Sequence, residues 1–494
     1  MTESFPRPEK TLKSQIEAVR DGSKLLSLPL PSGLNFPDLP SPARDPASFF
    51  PGYIVTTHII PGAFPRSSYL EPRKWAQTQT PIVDDSNTEF ATKSDRQEWV
   101  QRKRAELIER EMVLYGARVK RLPEDGRGLQ DGPGPVMWTV MNRYARVSSA
   151  ADKADRRIGL TVLAFHANGY HKETFEPIFR CLIDSCNQPG SRVRIDEFWS
   201  FDAAHTGDSA LVNRNALQTF GEYAADGIDF LRDILGFVDH YLPATTGDIS
   251  LPVHLTPHND SISLERRYSK RIIVGMGHSF GASVLARVAC LRPTLIRSMT
   301  LVEPVMFHSR QNGSARLIQS ALSRRERWAS RRVKDRHHQL YDLLTIVNYL
   351  REEAMEFFVK NPFFAAWDPE PLDLYVKYAL YDTDDGAVQL KMPRFQEALS
   401  AVNTTGPMEV WDSLERLSDQ VRLRWVVADR SGLGTVEDMQ HMVWRRTTNS
   451  TNVILPGTHL LPQESPDRVA SEIFVDWNKM AQDWFNLPER RAML

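Results

Sequence analysis

One serine stands in a pattern that activates a hydroxyl group for nucleophilic attack. The pattern is GHSFG at residues 277–281, with glycine two positions before and two positions after Ser279. A larger side chain at either glycine would collide with the neighbouring strand or helix. Apolar β-branched residues precede the pattern from Ile272, and apolar residues at helical spacing follow it to Ala289. This order predicts a strand, a tight turn and a helix that present Ser279 as a nucleophile.

A serine hydroxyl is a weak nucleophile on its own, so it needs a base and a carboxylate that orients the base. His459 follows the last predicted strand, Asn452 to Leu455, in the glycine-containing loop GTHLLP. This position makes it the best candidate base among the 13 histidines. The predicted chemistry is attack by Ser279 on a carbonyl carbon, with His459 accepting the serine proton.

Two carboxylates are candidates for the residue that orients the base. Glu303 follows a strand predicted over Arg297 to Val302, and Asp429 follows one predicted over Val421 to Ala428. In most hydrolases with this serine turn, the acid follows the later of these two strands and is the last residue of a GxxD turn. In this chain Ser431 stands at that place, and Asp429 comes two residues earlier. We favour Glu303 because the usual residue is missing at the later position, and we keep Asp429 as the alternative.

A second loop is expected to complete the site. The buried strand Leu160 to Phe165 runs into HANGYH at residues 166–171, where Gly169 allows a close approach of the main chain. We expect the N–H groups of Phe280 and of Tyr170 or a neighbour to stabilise a developing negative oxygen. Three further residues are predicted to contact the substrate: Asn168, Gly169 and His278.

The order of predicted strands and helices around these residues predicts an α/β fold with a mostly parallel sheet covered by helices on both faces. Residues 1–50, rich in proline and serine, are expected to form an irregular surface arm. Residues 51–306 and 418–494 are assigned to the core, with a helical insertion at about 67–134 and a helical cap at 307–417. Further helices are predicted at residues 94–122, 220–235, 314–333, 337–359 and 393–402.

Composition narrows the function further. The net charge is −1, so no overall field attracts nucleic acid, and no apolar run is long enough to span a bilayer. The histidines at 166 and 171 lack companions at ligand spacing, and we predict no metal, nucleotide or flavin cofactor. The arginine-rich run 324–336 is interpreted as a solvated helix face rather than a phosphate site. The oligomeric state, a homodimer included, stays open.

Location is predicted from cysteine content and the two termini. Three cysteines without a CxxC pattern, and an N-terminus without an apolar signal core, predict an intracellular protein. The last residues, Ala492-Met493-Leu494, match a peroxisomal import signal at the first and last positions, but Met493 replaces the basic residue. A peroxisomal and a cytoplasmic location therefore both stay open.

Five segments together resemble fungal α/β-hydrolases of the toxin-biosynthesis and peroxisomal lipase type: FHANGYHKETFEP, FDAAHTGDSALVN, GMGHSFGAS, LVEPVMF and LPGTHLLPQESPD. This group includes the acyl-CoA hydrolase of mycophenolic acid biosynthesis. The resemblance implies an α/β-hydrolase fold with a cap after the sixth strand and a serine esterase or thioesterase, often peroxisomal. It also implies substrates from lipid or secondary metabolism, and it implies that Glu303 is the carboxylate that orients the base.

The leading hypothesis is therefore hydrolysis of a small-molecule carboxylic ester or acyl thioester through an acyl-Ser279 intermediate. A serine at the nucleophile position argues against epoxide or haloalkane hydrolysis, which uses aspartate there. The alternative hypothesis, outside the enzymes, is a non-catalytic ligand-binding protein that keeps the fold.

Overall fold

The structure is a computed structural model. It describes residues 3–10, 12, 19–23, 25, 35–42, 44–64, 66, 92–120, 136–148, 155–219, 226–247, 250–258, 260–309, 327–328, 343–384 and 386–485. Most of the arginine-rich run 324–336 and the C-terminal Ala492-Met493-Leu494 lie outside these residues, so the predictions made for them stay predictions.

The strands, in chain order, are β1 (Tyr53–Pro61), β2 (Trp138–Arg146), β3 (Ile158–Phe165), β4 (Val193–Phe201), β5 (Ile272–His278), β6 (Ile296–Val302), β7 (Arg327–Trp328), β8 (Leu380–Asp382), β9 (Val388–Leu390), β10 (Arg422–Arg430) and β11 (Ser450–Thr458). The α-helices are α1 (Lys93–Lys120), α2 (Glu176–Asn187), α3 (Gly207–Val212), α4 (Arg214–Thr219), α5 (Gly227–Gly236), α6 (Leu264–Arg267), α7 (Phe280–Leu291), α8 (Leu343–Val359), α9 (Pro369–Tyr378), α10 (Arg394–Val402), α11 (Thr405–Leu414), α12 (Val436–Val443), α13 (Leu461–Glu464) and α14 (Pro466–Phe485). Single turns of 3₁₀-helix occur at Pro46–Ser48 and Lys172–Phe175, and a π-helical turn occurs at Phe237–Tyr241.

Eight strands form the main sheet in the order β1-β2-β4-β3-β5-β6-β10-β11. The pairs β1–β2 and β2–β4 are antiparallel, and the others are parallel. His278 pairs with Val302, and Val302 pairs in turn with Val426. The carboxyl ends of β5, β6 and β10 therefore lie side by side, and the residues that follow them meet at one edge of the sheet. This architecture confirms the predicted fold class.

The sheet is buried on both faces, as expected for parallel strands covered by helices. Along β5, Ile273 packs into the cluster that includes α5, α7 and α11, while Val274 and Met276 pack into the cluster that includes α2 and α14. This alternation follows from the two-residue period of a strand, which sends successive side chains to opposite faces. The position of Ser279 is thus set by a strand held from both sides.

The N-terminal arm differs from the prediction in one respect. Arg20 does not lie on the surface but is buried, with ion pairs to Asp226 at 2.7 Å and to Glu409 at 2.6 Å. Asp226 also caps α5, since its carboxylate accepts the Ile228 N–H. A buried arginine requires such partners because an unpaired charge in the interior is strongly unfavourable. The arm is therefore anchored between two elements of the core.

The segment 307–417 contains strands as well as helices. Its three-stranded sheet has the order β7-β9-β8, and the helix predicted over 314–333 is wrong at Arg327–Trp328, which pairs with β9. The physical reason is that pairing with a strand distant in sequence overrides local helix preference. Helix α11 lies within the predicted cap but packs against α7, while the domain boundary at 417 stays a prediction.

Helix α10 ends at Val402, as predicted. Helix α8 is described from Leu343 onward, and the earlier residues of the helix predicted over 337–359 lie outside the described ranges. Helix α5 begins at Gly227, immediately after its cap, and residues 220–225 of the predicted helix likewise lie outside those ranges. Of the helices that the structure describes, none combines the length and the apolar character needed to cross a membrane.

Candidate active site

Ser279 occupies the turn between β5 and α7. Its φ of 56° and ψ of −119° lie in a region that residues other than glycine seldom adopt. The turn also needs the flanking glycines, because a Cβ on Gly277 would lie 2.7 Å from the Ala282 main chain and one on Gly281 would collide with the Phe165 carbonyl. The Ser279 N–H donates to the Val302 carbonyl at 3.0 Å. These contacts hold the strained turn in place.

His459 follows β11 and contacts the serine directly. Its Nε2 lies 2.9 Å from the Ser279 Oγ, which is hydrogen-bonding distance. The loop is fixed by two main-chain donors, since the Gly457 N–H donates to Asp429 at 2.9 Å and the Thr458 N–H donates to Glu464 at 2.8 Å. A histidine held at this distance is suited to accept the serine proton.

Glu303 completes the hydrogen-bonded chain. Its Oε2 lies 3.1 Å from the His459 Nδ1, and its side chain is fully buried. Two donors from the end of β10 also reach this carboxylate: the Ala428 N–H at 2.6 Å and the Ser431 hydroxyl at 2.5 Å. Like the nucleophile, Glu303 has a positive φ, of 47°. The structure thus brings Ser279, His459 and Glu303 together in the order predicted from the sequence.

The alternative acid, Asp429, lies in a different environment. Its carboxylate accepts the Gly457 N–H and is about half exposed. The described contacts place no bond between Asp429 and the His459 ring, whereas Glu303 has one. The geometry therefore favours Glu303 as the carboxylate that orients the imidazole.

The His278 ring contacts the loop that carries the base, and its predicted contact with a substrate stays a prediction. The ring is buried, and its Nε2–H donates to the His459 main-chain carbonyl at 2.7 Å. Loss of hydration on burial, reinforced by the nearby His459 ring, holds the pKa of His278 well below its usual range. His278 is therefore neutral at physiological pH, and it ties the loop carrying the base to the strand carrying the nucleophile.

The two predicted oxyanion donors have different surroundings. Phe280 is the first residue of α7, and the first N–H groups of a helix lack partners within that helix. The Tyr170 N–H instead donates to the Ala167 carbonyl at 3.2 Å. It is therefore engaged within the turn, which leaves a neighbour of Tyr170 in the same loop as the better candidate for the second donor.

Asn168 and Gly169 shape the loop after β3. The Asn168 side-chain amide donates to the Glu397 carbonyl of α10 at 3.2 Å, and Gly169 has a φ of 85° that suits a residue without a side chain. Asn168 thus joins the active-site loop to a helix of the predicted cap. Its direct contact with a substrate stays a prediction.

A small cavity of about 30 Å³ lies beside the nucleophile turn. Its lining includes Phe280 and Val284 from α7, Ile228 from α5 and Asn403 at the end of α10. This lining is mostly apolar.

Sequence reasoning missed two features of the site. Ser431 was recognised only as the residue that stands where the usual acid is missing, yet its hydroxyl donates to Glu303. The contact of His278 with the His459 carbonyl joins residues 181 positions apart, and no local pattern indicates it. The serine at position 431 was itself the available signal, since a hydroxyl beside a displaced acid is a natural donor.

Comparison with known proteins supports the fold of this chain. The model of the alpha/beta hydrolase family matches residues 162–472, which include all three residues of the hydrogen-bonded chain. The type I acyl-CoA thioesterase mpaH' of Penicillium brevicompactum is 23% identical over 252 residues, covering 49% of this chain and 50% of the relative. The abhydrolase domain-containing protein ACTT2-1 of Alternaria alternata is 24% identical over 240 residues, covering 42% of this chain and 82% of the relative.

Among solved structures, the peroxisomal alpha-beta-hydrolase Lpx1 of Saccharomyces cerevisiae superimposes with a TM-score of 0.53. The identity is 19%, over 70% of this chain and 83% of that one, so this likeness concerns the fold alone. The chain spans half the length of the Penicillium thioesterase mpaH' that it matches. The family resemblance predicted from the motifs is confirmed: this chain belongs to the alpha/beta hydrolase family.

Proposed function

We propose that the protein is a serine hydrolase that cleaves a carboxylic ester or an acyl thioester through an acyl-Ser279 intermediate. The observation that carries this proposal is the continuous hydrogen-bonded chain from the Ser279 Oγ through the His459 imidazole to the Glu303 carboxylate. Its members follow three strands of one sheet, which holds them rigidly relative to one another.

In the first half of the reaction, Ser279 Oγ attacks the carbonyl carbon while its proton passes to the His459 Nε2. The Glu303 carboxylate accepts the Nδ1–H, which keeps Nε2 free as an acceptor and stabilises the imidazolium that forms. The Phe280 N–H stabilises the negative oxygen of the tetrahedral intermediate. The imidazolium then returns its proton to the departing alcohol or thiol, which leaves the acyl group on Ser279.

In the second half, a water molecule takes the place of the leaving group. His459 removes a proton from this water as it attacks the acyl-serine ester, and the proton passes to Ser279 Oγ when the acid is released. The neutral His278 beside the imidazole supports this cycle, because a second positive charge there would oppose protonation of His459. Each group thus returns to its starting state.

That the substrate is an acyl thioester is supported by the similarity to proteins described as type I acyl-CoA thioesterases. That the substrate is a carboxylic ester is supported by the triad chemistry itself, which acts on esters as well as on thioesters. We place the substrate's acyl group near the cavity beside Phe280, whose walls are largely apolar. Comparing p-nitrophenyl esters with acyl-CoA substrates of varied chain length distinguishes the two substrate classes.

Covalent labelling tests the proposal most directly. We expect a fluorophosphonate probe to label the wild-type protein and to leave Ser279→Ala unlabelled, because the probe forms its bond with an activated serine. Intact-mass spectrometry measures the adduct. The control is Ser450→Ala, which removes a hydroxyl that accepts a bond from Trp425 at the start of β11 and should not affect labelling. A wild-type protein without adduct, or an adduct that persists in Ser279→Ala, would contradict the proposal.

A further inference from the structure

Ser431 and His459 share one oxygen of the Glu303 carboxylate. The Ser431 hydroxyl donates to Oε2 at 2.5 Å, and the His459 Nδ1 lies 3.1 Å from the same atom. The other oxygen, Oε1, accepts the Ala428 N–H at 2.6 Å. The carboxylate is therefore held by one donor on Oε1 and two on Oε2.

The position of Ser431 follows from the register of the sheet. It is the first residue after β10, whose Arg430 pairs with Thr458 of β11 immediately before His459. On the other side, Val426 of β10 pairs with Val302 immediately before Glu303. Position 431 thus lies at the end of the strand that separates the acid from the base.

Burial makes the number of donors important. Glu303 has no exposed surface, so its negative charge cannot be hydrated and must be stabilised by hydrogen bonds. The terminal torsion of a glutamate side chain is broad and sets no strong preference by itself. The donors on the two oxygens therefore determine the plane in which the carboxylate presents Oε2 to the imidazole.

We infer that Ser431 is a positioning residue of the triad, whose hydroxyl orients the Glu303 carboxylate toward His459. This inference rests on the proposed function. It also implies that the chain has two sites from which a carboxylate can serve the same histidine, residue 303 at the end of β6 and residue 431 at the end of β10, with a serine at the second that supports an acid at the first.

The first experiment removes and restores the hydroxyl, with p-nitrophenyl butyrate as the substrate. Ser431→Ala should lower kcat by roughly 10- to 100-fold, the range for losing a hydrogen bond to a charged group. KM should change little, because Ser431 acts on the acid rather than on the substrate. Ser431→Thr keeps a hydroxyl and should recover most of the lost kcat. Ser450→Ala serves as the matched serine control and should retain wild-type kcat.

The second experiment moves the acid. An aspartate carries its oxygens one bond further from the main chain than a serine, so Ser431→Asp extends toward the space of the Glu303 carboxylate. In the wild-type background this places two carboxylates side by side, and we expect lower kcat from their repulsion. In a Glu303→Ala background, the same change should raise kcat at least about tenfold over Glu303→Ala alone, as a hydrogen-bonded carboxylate is restored.

The reversal of sign distinguishes positioning from a merely structural role, which would make Ser431→Asp harmful in both backgrounds. It also keeps the test valid if Ser431→Ala folds poorly, and thermal unfolding of each variant identifies that case. A wild-type protein that labels and turns over, with full kcat in Ser431→Ala or no gain in the double variant, would overturn the role of Ser431 alone. A wild-type protein that neither labels nor turns over would overturn the proposed function and this inference with it.

Discussion

Glu303 combines two features that are each unfavourable for a glutamate in isolation. Its carboxylate is fully buried, and its main chain has a positive φ of 47°. Both are compensated locally, since the Glu303 N–H donates to the Val426 carbonyl at 2.9 Å and two further donors reach the side chain, one from β10 and one from the residue after it. Strain of this kind persists where the surrounding structure over-determines it, and functional sites are the usual place. This environment favours Glu303 over Asp429.

A pair of isosteric substitutions separates the two carboxylates. We expect Glu303→Gln to lower kcat by a factor of roughly 10³–10⁴, because an amide can neither fix the imidazole tautomer nor stabilise its positive charge. Asp429→Asn should leave kcat near the wild-type value, since its oxygen still accepts the Gly457 N–H. Steady-state kinetics on p-nitrophenyl butyrate measures both. The opposite ranking of the two variants would assign the acid to Asp429.

At the scale of elements, helix α1 supports the predicted cap rather than the main sheet. Trp99, Val100 and Leu107 of α1 pack with Leu399 and Val402 of α10 in a small cluster separate from the two large ones. Helix α10 is also bonded to the active-site loop through the Asn168 amide. The described part of the insertion is thus linked, through one helix, to the site of chemistry.

Truncating the centre of this cluster tests the link. Leu107 is fully buried, so Leu107→Ala should weaken the contact between α1 and α10 by about 2–5 kcal/mol through lost packing and a residual cavity. Hydrogen exchange of the α10 amides should then accelerate by roughly one and a half to three and a half orders of magnitude. The main unfolding transition should move little, because Leu107 belongs to neither cluster that flanks the sheet.

The next residue provides a matched control for that measurement. The Ile108 side chain is 38% exposed, so Ile108→Ala removes a similar group from the same helix without opening the cluster. Its effect on exchange in α10 should be small. Equal acceleration by both variants would show that α1 does not support α10 through the Leu107 contact.

At the scale of the whole molecule, three buried histidines link stability to pH in addition to His278. Burial lowers the pKa of His58 and of His166 to about 4 and the pKa of His205 to about 3, because a charged imidazole would lose its hydration. They lie on β1, after β3 and after β4. All three are neutral in the folded protein at physiological pH.

These groups predict a loss of stability in mild acid. Below about pH 6.5 the unfolded chain protonates histidines that the folded protein keeps neutral, so the free energy of unfolding falls as pH decreases toward 4. Each such histidine contributes about 1.4 kcal/mol per pH unit within this window. Denaturant unfolding at several pH values measures how steeply the free energy of unfolding depends on pH. His205→Gln should reduce this slope by the contribution of one histidine, about 1.4 kcal/mol per pH unit. An unchanged slope in that variant would contradict the assignment of His205.

Much of the site was predictable because its parts are local patterns in a required order. The glycines around Ser279 report a turn that excludes side chains, and the strand before His459 places that residue at a sheet edge. Glu303 was favoured over Asp429 because the usual residue is absent at the later position. These signals depend on near neighbours in the chain, and a single sequence contains them.

What the tertiary structure alone decided are contacts between residues far apart in sequence. The Ser431 hydroxyl on Glu303, the His278 ring on the His459 carbonyl and the ion pairs of Arg20 each join segments more than 100 residues apart. The strand at Arg327–Trp328 has the same origin, since its partner β9 overrides the local helical pattern. Local sequence sets the type and order of most elements, while the register between them sets which side chains meet, and that register follows from packing the whole chain.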